Sequence, residues 1–339
     1  MKKTWIVVTS INPPTKAIEI ISKLCSNSKF KAVVVGDLKT PKEWHCENID
    51  YLSVKEQDKI FPKLSKLLPY NHYARKNLGY LYAMLNGAET ILETDDDNLP
   101  YESFGETTDL KVNANIVTGS KWVNIYSYFS KGIIWPRGLP LDEISSFGII
   151  NKESRIFDLP IKQFLADADP DVDAIYRLIF KDQTFFKQRI PIAIDQNCWV
   201  PFNSQNTIFH RSAFPLLYLP SYVSFRMTDI WRSFVAQQII WLYGKNIGFF
   251  SSTVQQIRNE HNLIKDFNDE IIGYVENKNF ISIIEKFAIN YKELKSLPEM
   301  TEVLYSFWLE LNKHNLIPFD EMEIIQEWNI QIENILNKS

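Results

Sequence analysis

Short apolar runs alternate with amphipathic helical runs through the first hundred residues, and this alternation limits the fold more than any other feature. Residues 5–8, 31–35 and 90–92 are rich in β-branched and aliphatic side chains, which is typical of buried strands. Residues 17–24 and 73–86 place apolar side chains at helical spacing between these runs. Strands that alternate with helices form right-handed βαβ units, so the sequence predicts an α/β fold with a mostly parallel central sheet.

Each predicted strand is followed by polar side chains. Thr9 ends the first strand, Asp37 follows the second, and Asp95, Asp96 and Asp97 follow the third within ILETDDDNLP. Ligands of such sheets bind outside the carboxyl ends of the strands. We therefore expect these five residues to converge on one site.

The acidic turn has the composition of a divalent-cation site. Asp95 and Asp97 form an Asp-x-Asp pair, and Mg²⁺ or Mn²⁺ commonly takes one or two carboxylates and completes its shell with phosphate and water. A helix cap or a solvated turn is the alternative. The chain has 11 glycines and no Gly-rich phosphate loop, which disfavours Rossmann dehydrogenases and P-loop enzymes. A metal-clamped diphosphate without such a loop points to a nucleotide-sugar enzyme.

The remainder of the chain divides into two parts. Residues 113–230 are rich in Trp, Pro, Asn and Asp, which suggests long loops around short strands, and residues 229–243 have helical spacing. From residue 266 onward the apolar residues are spaced for helices only. We therefore predict a catalytic domain over residues 1–265 and an all-helical extension over residues 266–339.

Net charge, cysteine content and the length of apolar runs limit the binding partners and the cellular compartment that we expect. The formal net charge of −4 gives no general attraction to nucleic acid or anionic lipid. Cys25, Cys46 and Cys198 are far apart in the sequence, which argues against a disulfide framework and fits a reducing compartment. No apolar run reaches the length of a signal peptide core or a membrane span, so we expect a cytoplasmic protein with, at most, peripheral membrane contact.

Several longer motifs resemble one family. They are RKNLGYLYAMLNGAETILETDDDN, IIWPRGLPL, DPDVDAIYRL, PFNSQNTIFHRSAFPLLYLP, FRMTDIWRSFVAQQIIW and RNEHNL. With these motifs the chain resembles the STELLO family of glycosyltransferases, which implies a GT-A fold. The first and third motifs are also similar to plant reversibly glycosylated polypeptides, which act as UDP-arabinopyranose mutases. The resemblance covers roughly residues 4–265 and leaves the helical extension outside it.

The resemblance implies a nucleotide-sugar site that depends on Mn²⁺ or Mg²⁺, with Asp95 and Asp97 as ligands. Asp96 is then either a further ligand or faces the ribose, and Thr9 and Asp37 occupy positions that contact base and ribose in GT-A folds. A plain strand-terminal cap or turn is the alternative for Thr9 and Asp37.

Basic and acidic residues elsewhere are further candidates. Arg75 and Lys76 precede the acidic strand and would bind phosphate, unless they form a solvated helix face. Asp169 or Asp171 would lie near the sugar, and Asp173 suits a helix N-cap.

Four residues near the C-terminal end of the predicted catalytic domain complete the set. If the transfer inverts the sugar's configuration, Asp229 is our first candidate for the base that deprotonates the acceptor hydroxyl, with Asp171 the second; a retaining transfer needs no such base. Trp231 offers a face for a sugar ring. An N-cap aspartate with a core tryptophan is an equal alternative. His261 would complete the metal shell, and Arg258 would touch the diphosphate.

The sequence therefore predicts a metal-dependent glycosyltransferase that uses a nucleotide-sugar, with UDP the expected nucleotide. The acceptor would be a hydroxyl of a saccharide or a lipid-linked sugar in polysaccharide or glycoconjugate synthesis. A nucleotide-sugar mutase and a non-catalytic nucleotide-sugar-binding module remain alternatives. The helical extension would contact a membrane peripherally, form a homo-oligomer, bind another partner or cover the sheet.

Overall fold

The computed structural model describes residues 3–27, 29–258 and 262–337. Its strands are β1 (Thr4–Thr9), β2 (Phe30–Val35), β3 (Asp50–Leu52), β4 (Thr90–Thr94), β5 (Asn98–Pro100), β6 (Lys111–Thr118), β7 (Ile149–Asp158), β8 (Ile161–Ala168), β9 (Ile192–Ile194), β10 (Asn206–His210) and β11 (Ile247–Gln256). Its helices are α1 (Lys16–Ser26), α2 (Val54–Ile60), α3 (Leu64–Leu67), α4 (Lys76–Leu85), α5 (Tyr126–Phe129), α6 (Ala174–Ile179), α7 (Thr228–Leu242), α8 (Leu263–Ala288), α9 (Leu297–Lys313) and α10 (Asp320–Leu336). Short 3₁₀ turns lie at Tyr73–Arg75, Leu141–Glu143, Arg211–Leu217 and Phe225–Met227.

One mixed sheet organises the molecule. Its order is β3-β2-β1-β4-β10-β8-β11-β9-β6-β7, and β5 pairs with β11. β1, β2, β3 and β4 are parallel to one another. β10 runs antiparallel to β4 and to β8, so β8 and its parallel partner β11 point the same way as β1. This confirms the predicted α/β class, with a mostly parallel mixed sheet.

The first half of the sheet follows directly from the sequence pattern. Thr15 caps α1 by accepting a hydrogen bond from the backbone N–H of Ile18. α4 begins after the 3₁₀ turn at Tyr73–Arg75 and is followed by Gly87, whose φ of 78° suits glycine. A Cβ at Gly79 would lie 2.6–2.7 Å from side-chain atoms of two valines, which shows how closely α4 packs on β1 and β2.

The middle of the chain differs from the prediction of short strands. β6 and β8 each have eight residues and β7 has ten. β8 is buried throughout yet contains Lys162 and Gln163, whose side chains hydrogen-bond to backbone carbonyls. β7 is largely exposed because it lies at the end of the sheet and pairs with β6. Buried polar and exposed edge residues obscure the alternation that identifies strands in a sequence.

The C-terminal helices pack against the rest of the protein. α8 contacts α6 and α7, and α10 contacts α3 and α4. Glu321 of α10 accepts hydrogen bonds from the backbone N–H groups of Ser221 and Tyr222. Asn277 of α8 accepts one from the Trp231 indole. These helices share a hydrophobic core with one face of the sheet, as one of the alternatives anticipated. The domain boundary at residue 265 stays a prediction.

Within the described residues, no helix combines the length and apolar character needed to cross a membrane.

Candidate active site

The parallel strands bring polar residues to one edge of the sheet. Thr9 ends β1, Asp37 follows β2, and the acidic turn at 95–97 follows β4. Asp169 lies directly after β8, and Arg258 lies two residues after β11. All five strands end at this edge because they run in the same direction. The structure therefore gathers residues from distant parts of the sequence around one cleft.

The cleft consists of two adjoining chambers. The nucleoside-sized chamber, about 250 Å³, lies at the ends of β1 and β2 and is lined by residues that include Asp37. The charged chamber, about 280 Å³, lies beside the acidic turn at 95–97. Thr9, Tyr73, Asp96 and Phe225 line both chambers.

Carboxylates and aromatic rings line the nucleoside-sized chamber. Asp37 accepts hydrogen bonds from the backbone N–H groups of Leu38 (2.7 Å) and His72 (3.3 Å). The rings of His72 and Tyr73 are stacked with centroids 5.4 Å apart, and Phe225 meets both edge to face. Burial lowers the pKa of His72 to about 4, so its imidazole is neutral at pH 7.

Asp96 links the acidic turn to the loop after β1. Its carboxylate accepts hydrogen bonds from the Ser10 hydroxyl and from Asn12 Nδ2 at 3.0 Å. The Thr15 hydroxyl donates to the Asp96 carbonyl at 2.6 Å. The turn is thus fixed to the N-terminus of α1, and its middle carboxylate lies at the junction of the chambers.

Asp95 and Asp97 flank this junction on the charged side. Asp95 accepts from Lys76 Nζ at 2.9 Å, and Asp97 accepts from Gln256 Nε2 at 3.2 and 3.4 Å. Burial raises the pKa of Asp97 to about 6, and the nearby charge of Asp95 adds to this effect. Burial also raises the pKa of Asp95, although Lys76 opposes it. The turn therefore carries more negative charge than its protein partners neutralise.

The described residues contain no cluster of three or more Asp, Glu, His or Cys side chains placed to hold a metal ion. The two flanking carboxylates nevertheless suit a cation that takes its remaining ligands from phosphate and water. His261, which we expect in the metal shell, lies outside the described residues.

Arg137 holds the floor of the charged chamber. Its guanidinium donates two hydrogen bonds to Asp171, at 2.9 and 2.7 Å, and two to Asp229, both at 3.0 Å. A further bond goes to the carbonyl of Arg226, so all five donors have acceptors. Arg137, Asp171 and Asp229 are each no more than 5% exposed. The site thus contains a buried Asp–Arg–Asp bridge that links three distant segments.

This bridge contradicts the predicted roles of Asp229 and Asp171 as bases. Burial raises their pKa values, but Arg137 outweighs it, so both pKa values lie below the ordinary value. Asp229 also accepts from the backbone N–H and hydroxyl of Ser204. A carboxylate with a lowered pKa and filled acceptor positions is a poor base. Trp231 is likewise a core residue, 1% exposed, rather than a sugar platform.

Two further arginines, Arg226 and Arg258, line the charged chamber together with the acidic turn. Arg226 pairs with the buried Glu270 of α8, with Nε 2.9 Å and Nη2 2.8 Å from Oε1. Arg258 Nη2 donates to Gln256 Oε1 at 2.8 Å and to the Asp169 carbonyl at 3.3 Å. The Arg258 Nε–H is buried and has no hydrogen-bond acceptor in the part of the chain that the structure describes. Arg258 therefore has a donor available to an anionic ligand, and its contact with a diphosphate stays a prediction.

The predicted phosphate contact of Arg75 conflicts with the geometry. Its guanidinium makes five hydrogen bonds, to Gln57 Oε1, to the hydroxyl and carbonyl of Ser65, and to the carbonyl of Leu68. Because all five donors are used and the residue is 1% exposed, Arg75 stabilises the turn before α4. Lys76 is fully buried under the acidic turn and serves as the counter-ion of Asp95.

The segment after β8 approaches the cleft through a strained residue. Ala168 has a φ of 69°, which is uncommon for a residue with a Cβ. Asp173 accepts a hydrogen bond from the backbone N–H of Tyr176, which confirms the predicted N-cap of α6. The side chain of Asp169 does not line either chamber, and its carbonyl holds Arg258 instead.

Sequence reasoning missed Arg137, Arg226 and Gln256 as site residues. Arg137 and Arg226 lie in IIWPRGLPL and FRMTDIWR, where an arginine within an apolar context signals a buried partner. The partners Asp171, Asp229 and Glu270 are distant in sequence, and only the fold brings them into contact.

Comparisons with known proteins show what this chain is similar to. A family model described as STELLO glycosyltransferases matches residues 226–335. Probable glycosyltransferase STELLO2 of Arabidopsis thaliana is 27% identical over 336 residues, which cover 91% of this chain and 43% of that protein. Probable glycosyltransferase STELLO1 of the same plant is 28% identical over 277 residues, covering 74% of this chain and 35% of that protein. The chain thus spans less than half the length of either relative.

The chain therefore has an α/β fold and is similar in sequence to glycosyltransferases. Among the known proteins compared, its matches are to STELLO glycosyltransferases. The expected extent of the resemblance is wrong, because the matched range includes most of the helical extension. The structure gives a physical reason for the match to extend into the helices, because Glu270 of α8 forms an ion pair with Arg226 of the charged chamber.

Proposed function

We propose that this chain transfers a sugar from a nucleoside-diphosphate sugar to a hydroxyl acceptor. The observation that carries the proposal is the pair of adjoining chambers at the carboxyl edge of the sheet. One is bounded by aromatic rings and Asp37, and the other combines the acidic turn with Arg226 and Arg258. A nucleoside suits the first environment, and a diphosphate sugar suits the second.

The nucleoside would lie against the His72–Tyr73–Phe225 cluster. Neutral rings offer a face for stacking on a base, and the carboxylates of Asp37 and Asp96 can accept hydrogen bonds from ribose hydroxyls. UDP is our expected nucleotide, in line with the family resemblance. The diphosphate would then enter the charged chamber between Asp97 and Arg258.

Asp95 and Asp97 would hold Mn²⁺ or Mg²⁺ together with the diphosphate. Support comes from the raised pKa values of both carboxyl groups, since crowded, partly desolvated carboxylates favour a bound cation. A bound divalent ion supplies stabilisation of the negative charge on the leaving nucleoside diphosphate. Lys76 fixes Asp95 from below, and Gln256 orients Asp97, so both carboxylates are held in place.

The Asp171–Arg137–Asp229 bridge would hold neighbouring loops in position and would not take part in proton transfer. It fixes the loops that carry Arg226 and Ser204 and keeps two buried carboxylates ionised. An acceptor sugar entering the charged chamber would therefore meet a rigid polar floor.

A thermal-shift panel tests the proposal. UDP, GDP, CMP and dTDP would each be added with and without Mn²⁺, and a ligand at about 100 times its Kd stabilises by about 2.7 kcal/mol. We expect the largest rise in Tm with UDP and Mn²⁺ together. Asp97→Asn should remove the metal-dependent part of that rise, whereas the matched variant Asp320→Asn, at an exposed position outside the cleft, should retain it.

Product analysis separates the activities. Release of UDP that depends on an acceptor supports transfer, whereas ring-isomer product from UDP-sugar alone would indicate a mutase. Binding without hydrolysis or transfer for every nucleotide-sugar tried would indicate a binding module. Unchanged UDP affinity of Asp97→Asn in Mn²⁺ would overturn the metal assignment.

A further inference from the structure

An exposed groove beside the cleft combines apolar and basic side chains. It is lined by residues from two segments, 130–133 and 176–187, and has a volume of about 560 Å³. We call it the basic-apolar groove. Ile133 is 69% exposed, Phe185 is 59% exposed and Phe180 is 38% exposed, and all three line it. Exposed large apolar side chains that line a common groove mark an interaction surface.

The charge of the groove is opposite to that of the whole chain. Lys131 and Lys187 line the groove against the single acidic lining residue Asp182, whereas the protein has a net charge of −4. Lys181 and Arg189 are further cations next to these lining residues in the sequence. The cations lie close enough to interact. The pKa of Lys187 is below its ordinary value because of partial desolvation and because of the charges of Lys131 and Arg189.

The groove is held rigidly next to the cleft. Lys187 donates its backbone N–H to the carbonyl of Phe129, which joins the two segments. Phe180 packs edge to face on the buried Trp135, whose indole donates to the α6 cap Asp173. Asp173 is two residues from Asp171 of the charged chamber. The groove is therefore connected, through Trp135 and Asp173, to the segment that carries Asp171 of the charged chamber.

We propose that the basic-apolar groove binds the surface of an anionic membrane and that this contact brings the cleft to membrane-bound acceptors. Apolar side chains enter the interfacial region of a bilayer, while lysines extend their aliphatic stems and keep their charge among the headgroups. Anionic headgroups complement a basic rim on an otherwise acidic protein. The membrane contact stands independently of the proposed transfer reaction, and its use in acceptor delivery rests on that proposed function.

Vesicle co-sedimentation of the full chain tests the contact. Phosphatidylcholine vesicles with about 30 mol% phosphatidylserine, close to an anionic leaflet, would be compared with pure phosphatidylcholine vesicles. We expect binding to the anionic vesicles that weakens in high salt. Lys131→Gln and Lys187→Gln should each weaken it about fivefold, since each basic residue near the surface contributes about 1 kcal/mol. Phe185→Ser should also weaken it by removing an inserted ring.

Matched controls make the result specific. Ile289, 83% exposed, and Lys292 are exposed residues outside the groove, so Ile289→Ser and Lys292→Gln should bind vesicles like the unchanged protein. Nucleotide-dependent thermal shifts of every variant should stay unchanged, which separates failure of membrane binding from failure of the cleft.

Three results would overturn the proposal. They are absence of binding to anionic vesicles, equal binding by the groove and control variants, and self-association that Phe185→Ser abolishes in light scattering. The last would assign the groove to a second copy of the chain.

Discussion

Replacing Arg137 by methionine is the sharpest test of the site's architecture. Methionine keeps much of the side chain's length and apolar contact but removes every hydrogen bond to Asp171 and Asp229. Both aspartates are at most 5% exposed and would lose their main counter-charge. Removing one partner of a buried ion pair costs about 3–5 kcal/mol. We expect a loss of that size at pH 7, which is a large share of a typical stability of about 5–15 kcal/mol.

The pH dependence follows from the pKa shifts. In the unchanged protein the pKa values of Asp171 and Asp229 lie below their unfolded values, so their stabilising contribution is present above about pH 4 and is lost on further acidification. Without Arg137, burial is no longer opposed and both pKa values rise. The variant can then protonate its buried carboxyl groups in mild acid, so its deficit in unfolding free energy should be smaller at about pH 4.5 than at pH 7.

Urea unfolding followed by tryptophan fluorescence at the two pH values measures this difference. Arg211→Met is the matched control, because Arg211 is exposed, and it should change the free energy of unfolding by less than about 0.5 kcal/mol. A deficit for Arg137→Met below about 1 kcal/mol, or one that is equal at both pH values, would refute the reasoning.

Other perturbations test separate parts of the fold. Burial raises the pKa of Asp173 to about 6, so its contribution to the free energy of unfolding should be lost as the pH rises toward and through that value. Urea titrations should show that, relative to Asp173→Asn, the unchanged protein loses on the order of 3 kcal/mol between pH 4 and 7. Gly79→Ala should destabilise by about 1–3 kcal/mol because its Cβ would clash, whereas Gly132→Ala, whose added Cβ would meet only the Ser130 hydroxyl at 4.0 Å, should have little effect on Tm. Glu270→Gln should cost about 2 kcal/mol by weakening the buried pair with Arg226, measured by urea unfolding.

Each of these has a distinct contrary result. Parallel pH profiles for the unchanged protein and Asp173→Asn would show that this carboxyl group does not titrate as inferred. Equal Tm values for Gly79→Ala and Gly132→Ala would contradict the close approach of α4 to the sheet. Full stability of Glu270→Gln would mean that α8 does not depend on its ion pair with the site.

The sequence is sufficient for features encoded by local pattern. β1, β2, β4, α1 and α4 could be predicted because apolar periodicity and caps act over a few residues. The convergence of Thr9, Asp37 and the acidic turn also followed, since parallel strands end at a common edge. The long strands β7 and β8 could not be predicted, because exposure at a sheet edge and buried polar groups mask their alternation.

The roles of individual charged residues were decided by tertiary structure. Nothing local distinguishes Arg75, whose donors all face protein acceptors, from Arg258, which has a buried donor without an acceptor in the described chain. Asp229 is a carboxylate that could act as a base by its residue type alone, but in the fold it is paired with Arg137. The sequence determined that Thr9, Asp37 and the acidic turn reach the cleft edge, because strands joined by helices in βαβ units run in the same direction. Only the tertiary structure decided which of them are already paired, because a buried charge selects partners by distance in space and not by distance along the chain.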